Sequence, residues 1–166
     1  MKKLILIMLM VIGVFAAPKK GELQKDFQLP SLYDSAKVLN SSSLKGKIVL
    51  LNMWASWCSG CQEEMPLFVD LQKKYDKNEF EIILVNIDTD RENGIEFLQS
   101  VDPDRVLTAL FDQRKFLPKA YRAPGMPTSL LIDKDGTIID VYIGSFDADN
   151  IIRLQKQIKF LTKSLK

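Results

Sequence analysis

Cys58 and Cys61 are the only cysteines in the 166 residues, and they stand where two different hydrophobic patterns meet. Ahead of them runs Ile48-Val49-Leu50-Leu51-Asn52-Met53, an apolar, β-type segment. Behind them Met65, Phe68, Leu71 and Tyr75 recur at threes and fours, the period of a helix with one buried side. A strand that passes into a helix leaves the first helical N–H groups unpartnered, and the helix dipole adds positive potential there. A sulfur at that point is held more easily as thiolate than as thiol, which makes Cys58 the nucleophilic candidate. Cys61, one turn further in, falls on the same face and points toward the body of the fold. One sulfur offered outward and a second in reserve is the layout of a redox site.

Two structural readings compete with that one. A Cys58–Cys61 disulfide closes about the shortest loop possible, so the chain-entropy gain is only about 2 kcal/mol, against roughly 3 for a fifteen-residue loop. A stapling role would favour distant cysteines. Zinc takes about four ligands, usually Cys or His, and this chain has no histidine and no third cysteine. The missing histidine also removes Ser-His and Cys-His catalysis and any imidazole base. With no glycine-rich phosphate loop either, no metal and no cofactor is expected.

The length suits one ordinary domain with a real core. Met1 to about Ala17 reads as a secretory signal: Lys2-Lys3, an apolar run from Leu4 to Val14, then small residues with a cleavage site after Val14-Phe15-Ala16. The run falls short of the ~20 residues of a spanning helix, and an uncleaved anchor is the alternative. Export places the pair where disulfides persist. Without Lys2 and Lys3 the Lys+Arg count falls from 23 to 21, equal to the 21 Asp+Glu, so nothing electrostatic points to nucleic acid. Lys156, Lys159, Lys163 and Lys166 suit the last turns of a closing helix, with a functional basic patch as the alternative.

Residues 21–166 read as one α/β domain. A short hairpin is expected from Asp26–Pro30 and the segment through Lys37–Leu39, then a central strand over 47–53, a helix over 61–77 and a buried strand over 80–87. Asp88 and Asp90 are read as caps of a helix over 91–100, in preference to a metal site. A strand over 105–111 and a short helix over 114–121 follow. A strand over 129–132, a turn at Asp133-Lys134-Asp135-Gly136 and an antiparallel edge strand over 137–143 come next. The closing helix starts near Asp147 and turns Ile151, Leu154, Ile158, Leu161 and Leu165 inward.

The run Trp57-Cys58-Ser59-Gly60-Cys61-Gln62-Glu63-Glu64-Met65-Pro66 resembles the W-C-x-x-C-x-x-E-x-P motif of thioredoxin-like proteins. More narrowly it is similar to the TlpA/ResA/CcmG (DsbE) group of extracytoplasmic thiol-disulfide oxidoreductases. That resemblance implies a thioredoxin-like fold: a central mixed β-sheet flanked by helices, with an N-terminal hairpin and a βαβ-type insertion. It implies a cis-proline at Pro127 facing the cysteines, with the backbone of Met126 pairing with a bound polypeptide. It implies protein disulfides as substrates, apocytochrome c among them, and a membrane electron donor of the DsbD/CcdA type. It also implies a periplasmic or extracytoplasmic location. Ser59-Gly60 departs from the group, which usually has proline before the second cysteine; the reduction potential and the direction of electron flow stay open.

Two further residues are site candidates by position. Glu64 lies one turn past Cys61 on the same face, where half-burial would raise its pKa and suit it to take the Cys61 proton; an ordinary surface carboxylate is the alternative. Asn52 stands where the resembled cytoplasmic thioredoxins carry a buried Asp, and it cannot act as a base. Trp57 is expected beside Cys58, limiting which substrates approach, with packing alone as the alternative. Four functions compete: disulfide reductase, disulfide oxidant or isomerase, peroxidase, and a non-catalytic peptide-binding module. A peroxidase of the peroxiredoxin type wants Thr or Ser three residues before its cysteine and Pro further upstream, where this chain has Ala55 and Leu51.

Overall fold

The computed structural model describes residues 17–163. The leader, except Ala17, and Leu165 lie outside the described residues. An antiparallel hairpin, β1 (Gln28–Pro30) and β2 (Val38–Asn40), comes first and leads through a 3-10 turn into β3 (Ile48–Trp54). Then follow α1 (Ser59–Gln72), β4 (Phe80–Asn86), α2 (Arg91–Val101), β5 (Thr108–Phe111) and α3 (Phe116–Tyr121). The chain closes with β6 (Thr128–Ile132), β7 (Ile138–Ile143) and α4 (Ala148–Lys163). The main sheet has the order β5-β4-β3-β6-β7, with β3, β4 and β5 parallel and β6 and β7 antiparallel. This is the mixed, helix-flanked sheet expected, with β4-α2-β5 as the βαβ unit.

β3 and β4 are buried at every position, because both faces of the sheet are covered. Alternation along β3 splits the core in two. Ile48 and Leu50 join Met65 and Phe68 of α1, Leu98 of α2 and Leu154 and Ile158 of α4. Val49, Leu51 and Met53 join Phe27, Leu29 and Leu44 from the hairpin region and Leu117 and Tyr121 of α3. No helix of the described residues is long and apolar enough to cross a membrane.

Several boundaries differ from the sequence expectation, each for a local reason. α1 ends at Gln72, whose side chain turns onto β4, donating to Phe80 O at 3.0 Å and accepting from Ile82 N at 2.7 Å. β5 starts at Thr108 because the Asp102 carboxylate holds Val106 N and Leu107 N in a turn, with Arg105 at φ 53°. α3 starts at Phe116, where Asp112 accepts from Phe116 N and Leu117 N. Of the two expected caps only Asp90 serves, accepting from Glu92 N at 3.1 Å. Asp88 is buried and faces the motif instead.

Candidate active site

The parallel strands β3 and β4 end side by side, and that brings Asp88 to the loop leading into the dithiol. Both of its carboxylate oxygens accept from Ser56 N at 3.1 Å, and Asn86 Nδ2 donates to Asp88 Oδ2 at 2.8 Å. Gln62 Nε2 ties the carbonyl of Ser56 to the first turn of α1. Two buried side chains and one surface amide therefore fix the path of Ser56–Trp57. Sequence reasoning gave Asp88 the wrong task; its position just past β4, beside the end of β3, was the available signal.

Cys58 is the N-cap of α1, with extended backbone angles (φ −91°, ψ 108°). Its Sγ accepts from Cys61 N at 3.3 Å and its carbonyl from Gln62 N at 3.1 Å. The two cysteines form a disulfide. Cys58 is 9% exposed and Cys61 is 0% exposed. The asymmetry is in the expected direction, but in the oxidised protein Cys58 as a whole residue shows only a small surface. Trp57 beside it is 67% exposed. Trp54, the other tryptophan of the motif, is wholly buried, with its ring 5.6 Å from that of Phe97.

Glu64 is fully buried, not half-buried as the helical spacing alone suggested. Its Oε1 accepts from Asn52 Nδ2 at 2.7 Å and its Oε2 from Phe146 N at 3.0 Å. Burial disfavours the carboxylate and pushes its pKa up to about 7, while the hydrogen bonds from Phe146 N and Asn52 pull the other way. Asn52 also donates to Ser129 Oγ at 2.9 Å, across the β3–β6 pair in which the two residues stand opposite each other. Ser129 and the Phe146 N–H went unseen in the sequence because both come from elements far along the chain.

The Met126–Pro127 bond is cis, and Pro127 Cδ lies 3.6 Å from the place a Cβ on Gly60 would occupy. The proline thus sits against the cysteine turn, with Met126 part-buried and Ser145 on the same side. Among the described residues no group of three or more His, Cys, Asp or Glu is placed to hold a metal ion. The arrangement supplies a sulfur at a helix N-terminus, a sealed partner sulfur, and one buried acid able to change protonation near neutral pH.

The Redoxin family profile matches residues 19–157. The chain belongs to the Redoxin family. Within the Redoxin proteins it is similar to thiol-disulfide oxidoreductase ResA of Bacillus cereus, 33% identical over 135 residues, covering 80% of this chain and 76% of ResA. Thioredoxin-like protein YneN of Bacillus subtilis is 29% identical over 127 residues, 76% of this chain and 73% of its own. The crystal structure of a protein assigned as thiol:disulfide interchange protein DsbE of Chlorobium tepidum superposes with a TM-score of 0.78 at 33% identity, covering 87% of this chain and 99% of that one. This Redoxin is a thiol-disulfide oxidoreductase of the ResA/DsbE type, with a thioredoxin-like fold and a Cys-x-x-Cys pair.

Proposed function

We propose that the protein is an extracytoplasmic disulfide reductase. The Cys58 thiolate attacks a disulfide in a protein substrate; the substrate S–S bond breaks, one sulfur joins Cys58, and the other leaves as a thiolate that takes up a proton. Cys61 loses its proton to Glu64 and attacks Cys58 Sγ; the bond from Cys58 to the substrate breaks, and the second substrate sulfur leaves as a thiolate that takes up a proton in turn. Two electrons have then moved from the dithiol to the substrate, and the protein carries the Cys58–Cys61 disulfide. Trp57, Met126 and Pro127 border the approach to Cys58 and form the substrate-binding rim. The observation that carries the reading is the pairing of an N-cap sulfur with a sealed one, with the fully buried carboxyl of Glu64 one helical turn beyond Cys61.

The leader read over Met1–Ala17 supports export and so a periplasmic or extracytoplasmic location. Likeness to ResA and DsbE supports apocytochrome c as a substrate and a membrane donor of the DsbD/CcdA type as the electron source. Replacing Cys61 with Ala tests the chemistry: Cys58 should then accumulate as a mixed disulfide whose attached protein can be identified. A folded variant that traps nothing argues against the scheme. The reduction potential decides direction, because a pair reduced far more readily than glutathione's would make the protein an oxidant.

A further inference from the structure

α4 shows only one face to the core. Leu154 and Ile158 are buried, with Ile151 and Leu161 part-buried beside them. The opposite face carries Ile152, Arg153, Lys156, Lys159, Phe160 and Lys163, all exposed. At 3.6 residues per turn these six fall within about 120° of arc. Asp149, exposed in the first turn, is the one acid in the same arc; from Asn150 to the end of the sequence there are five Lys or Arg and no Asp or Glu. Ile152 (48% exposed) and Phe160 (71%) stand two turns apart among those charges. Lys156, Lys159 and Lys163 have no acidic partner among the described residues. α4 turns its own apolar face to the core, so what it offers outward is a cluster of basic residues with Ile152 and Phe160 among them. Clustered Lys/Arg on a helix attract an anionic lipid surface.

The chain enters the folded body beside this helix. Lys20 Nζ is 2.7 Å from Asp140 Oδ1, and Arg153 Nη2 is 3.4 Å from Asp140 Oδ2. Asp140 is 3% exposed and shared between Lys20 and Arg153, so of the basic residues on the face it offsets Arg153 alone. Gly21 N–Ile138 O and Ile138 N–Glu22 O, both 2.8 Å, fix the entering segment along β7. Lys19 and Lys20 are exposed in this entering segment, Lys20 in the ion pair with Asp140. Between α4 and β7 lies a groove of about 390 Å³ with Ile139, Phe160 and Leu161 among its lining and Arg153 and Lys156 at its rim.

We infer that the outer face of α4 is a contact site for an anionic membrane surface, with Ile152 and Phe160 in the interface and Lys156, Lys159 and Lys163 on the lipid headgroups. Such a contact needs nothing from the dithiol, whichever disulfides it exchanges. Each basic residue strengthens binding to an anionic leaflet about fivefold, so three together give roughly a hundredfold. The attraction is screened by salt.

Both core clusters lie between Phe27 and Ile158, so a chain beginning at Ala17 keeps both of them. Its co-sedimentation with phosphatidylcholine vesicles, with and without phosphatidylglycerol, is the test. Binding is expected only with phosphatidylglycerol, lost in high salt, and weakened roughly a hundredfold by Lys156→Gln, Lys159→Gln and Lys163→Gln combined. Phe160→Ser should weaken it further. In the full chain on the same vesicles, amides of 148–163 should gain exchange protection only when phosphatidylglycerol is present. Equal binding to both vesicles, no binding, or a triple variant that binds like the parent overturns the inference. Self-association in place of vesicle binding, abolished by the triple variant, assigns the face to a second copy and overturns it too. Unchanged thermal unfolding and disulfide exchange in the triple variant exclude misfolding.

Discussion

Asn52 Nδ2 lies 2.7 Å from Glu64 Oε1, so the buried acid faces a neutral amide and not a second carboxylate. The side-chain oxygen of Asn52, Oδ1, is buried without a hydrogen-bond partner among the described residues. Replacing Asn52 by Asp would set two carboxyl groups at hydrogen-bond distance in a site closed to water, where they share one proton. Glu64 titrates at about 7 with the amide in place, and Asn52→Asp is expected to move the upper titration of the pair well above that. Release of a chromogenic thiol from Cys58, followed against pH, reads the step performed by Cys61. Its rising limb should move to more alkaline pH. An unmoved limb would remove Glu64 as the proton acceptor.

The same burial ties stability to pH. The ordinary pKa of 4.5 applies to Glu64 in the unfolded chain, against about 7 in the folded one. Below 4.5 both states hold the proton; between 4.5 and about 7 only the folded state does, so stability falls as pH rises through that window and levels off above it. The difference is on the order of 3 kcal/mol. Glu64→Gln removes it. Denaturant unfolding of the oxidised protein at pH 5 and pH 8 should show the parent losing roughly 2 to 3 kcal/mol more than the variant.

What could be read in advance depended on how local each cause was. The β3–α1 junction was legible because two periods of hydrophobicity meet at Cys58, and the turn at Gly136 because its φ of 92° suits glycine. Asp88 was misread because Asp-x-Asp before a helix looks alike whichever aspartate caps it. Its true partner, Ser56 N, comes close only through the β3–β4 pairing. The spacing put Glu64 on the face of Cys61 but could not show that Phe146, 82 residues later, closes over it. The starts of β5 and α3 were lost to the Asp102 and Asp112 side chains, which hold turns that strand or helix periodicity does not register.

Gly60 has room for a methyl group. A Cβ there would meet Ser145 Cβ at 3.4 Å and Pro127 Cδ at 3.6 Å, ordinary contacts. Gly60→Ala should stabilise the protein by about 0.4–1 kcal/mol, chiefly by restricting the unfolded chain. The methyl also narrows the gap between the cysteine turn and Pro127, so exchange with a protein disulfide should slow more than exchange with a small one. Thermal unfolding and the two exchange rates check both parts. A lowered melting temperature would mean that Ser145 cannot yield.

Gly94 leaves no such room. A Cβ there would stand 2.7 Å from Asn86 Nδ2 and 2.9 Å from Asn86 Cγ, nearer than real contacts allow. Asn86 is fully buried and cannot swing away without releasing Asp88, to which it donates at 2.8 Å and from which it accepts at 3.2 Å. Asp88 in turn holds Ser56 N, two residues before Cys58. Gly94→Ala should therefore cost about 1–3 kcal/mol through overpacking and also loosen the loop that aims the Cys58 sulfur at the start of α1. Thiolate stabilisation depends on that aim, so alkylation of Cys58 in the reduced variant should shift to higher pH. Asp88→Ala frees Ser56 without crowding α2, and should reproduce the alkylation shift. If Gly94→Ala lowers stability while Cys58 alkylates as in the parent, the strain is absorbed within α2 and the Asn86–Asp88–Ser56 chain does not govern the reactive sulfur.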